Sequence, residues 1–78
     1  MQMPLGRLLP GQQGVVREIG CGPELHARLE DLGLTPGLEV RCLHRAPSGT
    51  PAAYEIRGAA IALRRADAEA ILVEVAKP

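Results

Sequence analysis

The sequence predicts a mainly β fold: one small barrel of about five antiparallel strands with a short α-helix inserted. Three observations predict it. Turn-forming residues punctuate the whole chain, at Pro10-Gly11, Gly20 to Pro23, Gly33, Pro36-Gly37, Pro47 to Pro51 and Gly58. The segments between them are short, and most alternate apolar with polar residues at the period of a strand. The chain has 78 residues, enough for one core, so residues 1–78 are read as a single domain.

The first strand is GVVREIG, Gly14 to Gly20. Its alternation groups Val15 and Ile19 with the stem of Arg17 on one face and sets Val16 and Glu18 on the other. PELHARLEDL, Pro23 to Leu32, is the helix. Proline suits the first helical position, where its missing N–H has no intrahelical partner to lose. Glu24 favours the positive end of the helix dipole, and Glu24 with Arg28 makes an i,i+4 pair in the favourable order. Leu25, Leu29 and Leu32 fall on one stripe, which assigns Leu29 and Leu32 to the core.

The stretch EDLGLTPG, Glu30 to Gly37, carries two reversal signals. Gly33 stands where a helix ends on a left-handed residue. Thr35-Pro36-Gly37-Leu38 has proline and glycine in the order of a type II turn. Leu34, between the two reversals, is predicted to tuck beneath the helix, a burial that contributes about 1.5–3 kcal/mol. Pro10-Gly11 launches the first strand in the same way.

LEVRCLH, Leu38 to His44, follows with Leu38, Val40 and Cys42 on one face. APSGTP is a loop. AAYEIRG faces Tyr54 and Ile56 inward, Gly58 turns the chain, and Ile61 and Leu63 alternate with Ala60 and Ala62. ADAEA makes at most one helical turn. ILVEV closes the barrel with Ile71, Val73 and Val75 inward.

Composition narrows function. Nine basic residues balance nine acidic ones, and Tyr54 is the only aromatic. A chain without a basic stripe or stacking rings is a poor binder of nucleic acid. No apolar run approaches the roughly 18 residues of a membrane span, and MQMPLGRLLPG does not follow a secretory pattern. A cytoplasmic protein is expected. Its two cysteines, Cys21 and Cys42, are then free thiols rather than a disulfide.

The chemistry-bearing residues are sparse. Cys21, His26, Cys42 and His44 are the candidate metal ligands, and Cys42-x-His44 on a strand would share a face. Their spacing matches no ligand motif, so no intrachain metal site is assigned. A metal ion bridging two copies through surface His and Glu fits these residues better. Nothing has the spacing of a catalytic triad, a phosphate loop or a dinucleotide loop. Arg64-Arg65 is read as a strand exit, with an anion-binding surface as the sharper alternative. No cofactor is called for.

In order and spacing, several pieces together resemble the FeoA family. They are Pro10-Gly11 with Gly14, RLEDLGLTPG (Arg28 to Gly37), the APSGTP loop, Ile56-x-Gly58, IALRR (Ile61 to Arg65) and Ala68-x-x-Ile71-x-Val73. The resemblance runs from about Leu5 to Val75. Thr50 departs from it, standing where the family often has Asp. The resemblance implies an SH3-like barrel with a helical insertion. It further implies a non-enzymatic accessory of bacterial ferrous iron transport, whose partner is the membrane transporter FeoB with its cytosolic GTP-binding domain. Membrane contact would come only through that partner, and a weak homodimer is compatible with the reading. Similar domains end iron-dependent repressors, so the alternative is a metal-responsive regulatory domain using His26, His44 or a cysteine. An arginine-supplying GTPase activator would have Arg28, Arg64 and Arg65 to offer. On the first reading the contact surface is the groove between helix and barrel, lined or flanked by Leu25, Arg28, Asp31, Leu34 and Thr35.

Overall fold

Six strands make the sheet, one more than the sequence pattern predicts. They are β1 (Gln2–Pro4), β2 (Gln13–Ile19), β3 (Glu39–Arg45), β4 (Ala52–Ile56), β5 (Ala59–Leu63) and β6 (Ile71–Glu74). The helices are α1 (Pro23–Asp31) and α2 (Arg65–Glu69), with a single 3-10 turn at Leu5–Arg7. The computed structural model describes residues 1–20 and 22–76. All strand pairs are antiparallel, in the order β1-β6-β2-β3-β4-β5. The sheet curls around one aliphatic core, with α1 inserted between β2 and β3, as expected of an SH3-like fold.

The additional strand, β1, is three residues long and pairs with β6, Met3 opposite Val73. The 3-10 turn behind it delivers Leu5 and Leu8, both fully buried, into the core. Between that turn and β2 the chain reverses at Leu9–Gln12. Pro10 and Gly11 (φ +87°) occupy the centre of this turn, and the Gln12 N–H donates to the Leu9 carbonyl at 2.9 Å.

The joint between α1 and β3 follows the predicted chemistry. Gly33 has φ +92°. The Leu34 N–H donates to the Leu29 carbonyl (2.9 Å) and the Gly33 N–H to the Glu30 carbonyl (2.8 Å). Together these two bonds are the Schellman pattern that satisfies the last carbonyls of a helix. Leu29 and Leu34 are both fully buried, which supplies the apolar contact that accompanies the motif. The type II turn comes next, with Gly37 at φ +93° and the Leu38 N–H donating to Thr35 at 3.2 Å. This turn is fastened to β2. Gly37 donates to the Val16 carbonyl at 2.7 Å, and Val16 donates to the Leu38 carbonyl at 2.8 Å.

From β3 onward most of the residues on the expected faces are buried, with Leu38 and Ile61 half-buried. Val40, Cys42, Tyr54, Ile56, Leu63, Ile71, Val73 and Val75 are buried. β4 and β5 join through a two-residue hairpin at Arg57 (φ 52°) and Gly58 (φ 83°), the paired positive angles of a type I′ turn.

Four expectations need correction. In β2 Val16 and Glu18 do not share one environment as a regular strand would have it: Gly14 and Val16 are buried, Glu18 is exposed, and Val15 and Ile19 are half-buried. A β-bulge lies between Val16 and Glu18 in the pairing with β6, and Arg17 and Glu18 are both exposed. The inserted residue breaks the alternation that a regular strand would keep. A second bulge, between Cys42 and His44, separates those two side chains: Cys42 is buried and His44 exposed. Leu32 is 39% exposed, because it forms the helix C-cap and the chain has begun to turn away there. Finally, Arg28 pairs with Asp67 of α2 at 3.3 Å, in place of the predicted partner Glu24. On α1 the i,i+4 pair is His26 Nδ1 with Glu30 at 2.7 Å.

Three substitutions at two positions test this packing by chemical denaturation. Tyr54 is the largest fully buried side chain, and its hydroxyl donates to the Leu5 carbonyl at 3.5 Å. Tyr54→Ala is expected to cost about 3–5 kcal/mol, by analogy with other buried aromatics. Tyr54→Phe is expected to cost under about 1.5 kcal/mol, the weight of one hydrogen bond. A comparable loss in both would show that the hydroxyl, rather than ring packing, holds the core. Gly33→Val is expected to cost about 2–3 kcal/mol through backbone strain. A side chain at this position would also meet the Arg57 Cδ at 2.7 Å. A melting temperature equal to that of the parent chain would contradict the left-handed assignment.

Candidate functional site

Two surfaces carry functional groups. The first is the end of α1 with the turn that follows it. Arg28, Asp31 and Thr35 are exposed there, and Leu32 lies beside Asp31. Leu34 is fully buried and supports this surface from beneath. The Leu25 side chain lies outside the described residues, as does Cys21. The ion pair of Arg28 with Asp67 ties α1 to α2. Its carboxylate is the more enclosed partner, with 15% side-chain exposure, and a half-solvated pair of this kind adds at most about 1 kcal/mol. Of the five residues selected by sequence, three are therefore exposed.

The second surface is a pocket of about 480 Å³. The 3-10 turn, the end of β3, the loop before β4 and α2 enclose it, and Tyr54 forms part of its inner wall. Arg7, Arg45 and Arg65 line it together with Thr50 and Glu69. The Thr50 hydroxyl accepts the Arg65 backbone N–H at 3.1 Å, so the loop is fastened to the start of α2. The Ser48 hydroxyl donates to the Thr50 carbonyl at 2.9 Å and stiffens the same loop. Sequence analysis singled out Arg65 but missed Arg7 and Arg45. No spacing signal could have found them, because the three arginines meet only when β3, α2 and the 3-10 turn are assembled.

Among the described residues the candidate metal ligands do not assemble. His26 sits on α1 beside Glu30, Cys42 is buried in β3, and His44 is exposed beyond the bulge. Among the described residues no three His, Cys, Asp or Glu side chains are grouped so that they could hold a metal ion. Burial pushes the Cys42 thiol up from its ordinary pKa, against a smaller lowering by the Arg45 charge. The Tyr54 hydroxyl is raised chiefly by burial and further by Cys42, again opposed by Arg45. Both groups are therefore protonated members of the core. No described helix is long and apolar enough to cross a membrane.

Comparison with known proteins gives a consistent picture. Residues 3–75 match the FeoA domain family. No curated protein matches the chain. Among solved structures, iron(II) transport protein A from Clostridium thermocellum is 37% identical, with a TM-score of 0.90 over 94% of this chain. The chain spans 45% of the length of that protein. An iron uptake regulatory protein (FeoA) is 30% identical with a TM-score of 0.87, and the match covers 95% of this chain and 97% of that one. The FeoA protein from Chlorobium tepidum is 33% identical with a TM-score of 0.88, over 96% of this chain and 71% of that one. A manganese-dependent transcriptional repressor shares the fold, with a TM-score of 0.87 at 22% identity over 96% of this chain and 42% of that one.

The state of Cys42 is open to direct measurement. In a Cys21→Ser background the remaining thiol is expected to resist alkylation in the native chain and to react promptly in denaturant. Its folded pKa lies above its unfolded value, so folding retains the proton. The associated stability is complete below the unfolded pKa, about 8.5, and is lost as pH rises through the folded value. Urea midpoints that do not fall above that pH, or that fall equally in Cys42→Ala, would contradict the assignment.

Proposed function

The chain belongs to the FeoA family, and from that premise we propose that it is a non-enzymatic accessory of ferrous iron transport. It acts in the cytoplasm by docking on the cytosolic part of the FeoB transporter and modulating uptake. The observation that carries this reading is the family match over residues 3–75. The names of the solved relatives, iron(II) transport protein A and iron uptake regulatory protein, agree with it.

The contact surface in this reading is the end of α1 and its following turn. Arg28, Asp31 and Thr35 offer charge and hydrogen-bonding groups, and Leu32 offers apolar area at 39% exposure. Leu25 belongs to the same helix, and Leu34 holds the surface on the core. The arrangement has the ingredients of a small recognition patch. An arginine anchor lies next to an apolar side chain, on backbone fixed by a Schellman cap and a type II turn. The mechanism is then one of shape and charge: a preformed surface binds without the cost of ordering itself.

Co-purification of the full chain with FeoB from the same genome, with and without guanine nucleotide, tests the proposal. Retention of the transporter is expected in at least one nucleotide state. The double substitution Arg28→Glu and Asp31→Arg is expected to weaken the complex about tenfold or more, with the melting temperature changed by only a few degrees. Absence of association in both nucleotide states, together with normal iron uptake in a deletion strain, would overturn it.

A further inference from the structure

We propose that the pocket lined by Arg7, Arg45 and Arg65 is a binding site for a phosphate-type dianion. The ligand is either free phosphate or the phosphoryl group of a small organic molecule. The inference does not depend on the transporter and concerns a different part of the surface from the α1 face.

Three observations lead to it. First, three arginines line one cavity together with a single carboxylate residue, Glu69. None of the three guanidiniums makes a hydrogen bond or ion pair with a described residue, whereas Arg28 is paired. Like charges gathered without a counter-charge repel one another, and a bound anion removes that penalty. Second, the Arg45 Nε is buried and has no hydrogen-bond partner. A buried charged donor left unmatched costs more than an ordinary unmade bond, so the Arg45 guanidinium is partly desolvated beside the cavity without a counter-charge of its own. Third, the enclosing backbone is built rather than loose. The loop turns at Gly49, whose N–H donates to the Ala46 carbonyl at 2.7 Å, and the Arg65 Nη2 lies 4.0 Å from where a Gly49 side chain would begin. The loop is fastened to α2 through Thr50 and Arg65, which fixes the wall against which an anion would rest.

The choice of a dianion follows from charge and geometry. Planar guanidinium forks match the oxygens of phosphate two at a time. A tetrahedral dianion can engage several such forks at once and neutralise most of their charge. A monocarboxylate offers two oxygens and one charge, and would leave the cluster largely uncompensated. The aliphatic wall and the inner Tyr54 leave room for a short organic group behind the phosphoryl oxygens.

The test titrates the full chain with inorganic phosphate near neutral pH, at ionic strength held constant with sodium chloride, and follows the arginine Nε–H resonances by heteronuclear NMR. A parallel arm uses glycerol phosphate and a third uses acetate. A saturable displacement of the Arg45 resonance is expected with phosphate and not with added chloride. Saturation by inorganic phosphate alone supports the free ion as ligand, whereas equal or tighter saturation by glycerol phosphate supports a phosphoryl group on an organic carrier. Arg65→Gln is expected to weaken binding about tenfold or more, the loss of a charge-assisted pair. Arg7→Gln is a second exposed variant that should act in the same direction if the first is poorly folded. Shifts that grow without saturating, an affinity unchanged in both variants, or acetate binding as tightly as phosphate would each overturn the assignment.

Discussion

Everything downstream of α1 depends on how the helix stops. Between Leu32 and Leu38 the chain ends a helix, sends a leucine inward, turns again and enters a central strand. Gly33 makes this feasible because its left-handed backbone lets the N–H groups of Gly33 and Leu34 reach back to Glu30 and Leu29. Leu34 is thereby delivered onto Leu29, and both are excluded from water. The type II turn then sets the register of β3, because Gly37 and Leu38 bond to Val16 before the regular ladder begins. One local device thus closes the helix, plugs the core and aligns two strands. In so small a domain, where the buried fraction is low, no other element could take over all three tasks.

The same economy leaves α1 largely exposed. Among its described side chains only Leu29 is fully buried. The helix is fixed by that anchor, by Leu34 just beyond its end, and by the Arg28 link to α2. Most of its surface is consequently free, while its backbone has little freedom. An aliphatic core around a single tyrosine holds the barrel, and apart from Tyr54 no residue with a polar or charged side chain is fully buried among those described. Polar function therefore sits on the outside, where loops and helix ends place it.

How much of this was legible in the sequence depended on whether the signal was local. The joint at Gly33 was readable because proline and glycine act through their own backbone angles. The inward faces of β4, β5 and β6 were readable because alternation is a property of consecutive residues. The bulges were not. An alternating string gives no sign that Arg17 will be looped out, or that the pairing will slip between Cys42 and His44, since a bulge is settled by the partner strand. β1 was missed for a related reason: its partner β6 lies at the far end of the chain, and three residues carry no period. The surface residues divided along the same line. Arg28 and Asp31 lie off the leucine stripe of the helix, but the pairing of Arg28 with Asp67 spans 39 positions and belongs to tertiary structure alone.

Charge illustrates why composition and structure answer different questions. Nine basic and nine acidic residues cancel, and that balance correctly describes the field seen from far away, where salt screens it further. At the length of a side chain the balance is local. The exposed end of α1 carries both signs, Arg28 and Asp31, as a protein-facing surface would. The pocket between β3 and α2 concentrates one sign, with three arginines against Glu69. A neutral chain can therefore hold a cationic pocket, because most of its acidic residues lie elsewhere, three of them in ion pairs: Glu30 beside His26, Asp67 on Arg28, Glu74 on the Met1 amino group. The folded topology decides which charges meet, and it leaves these three guanidiniums without acidic partners of their own.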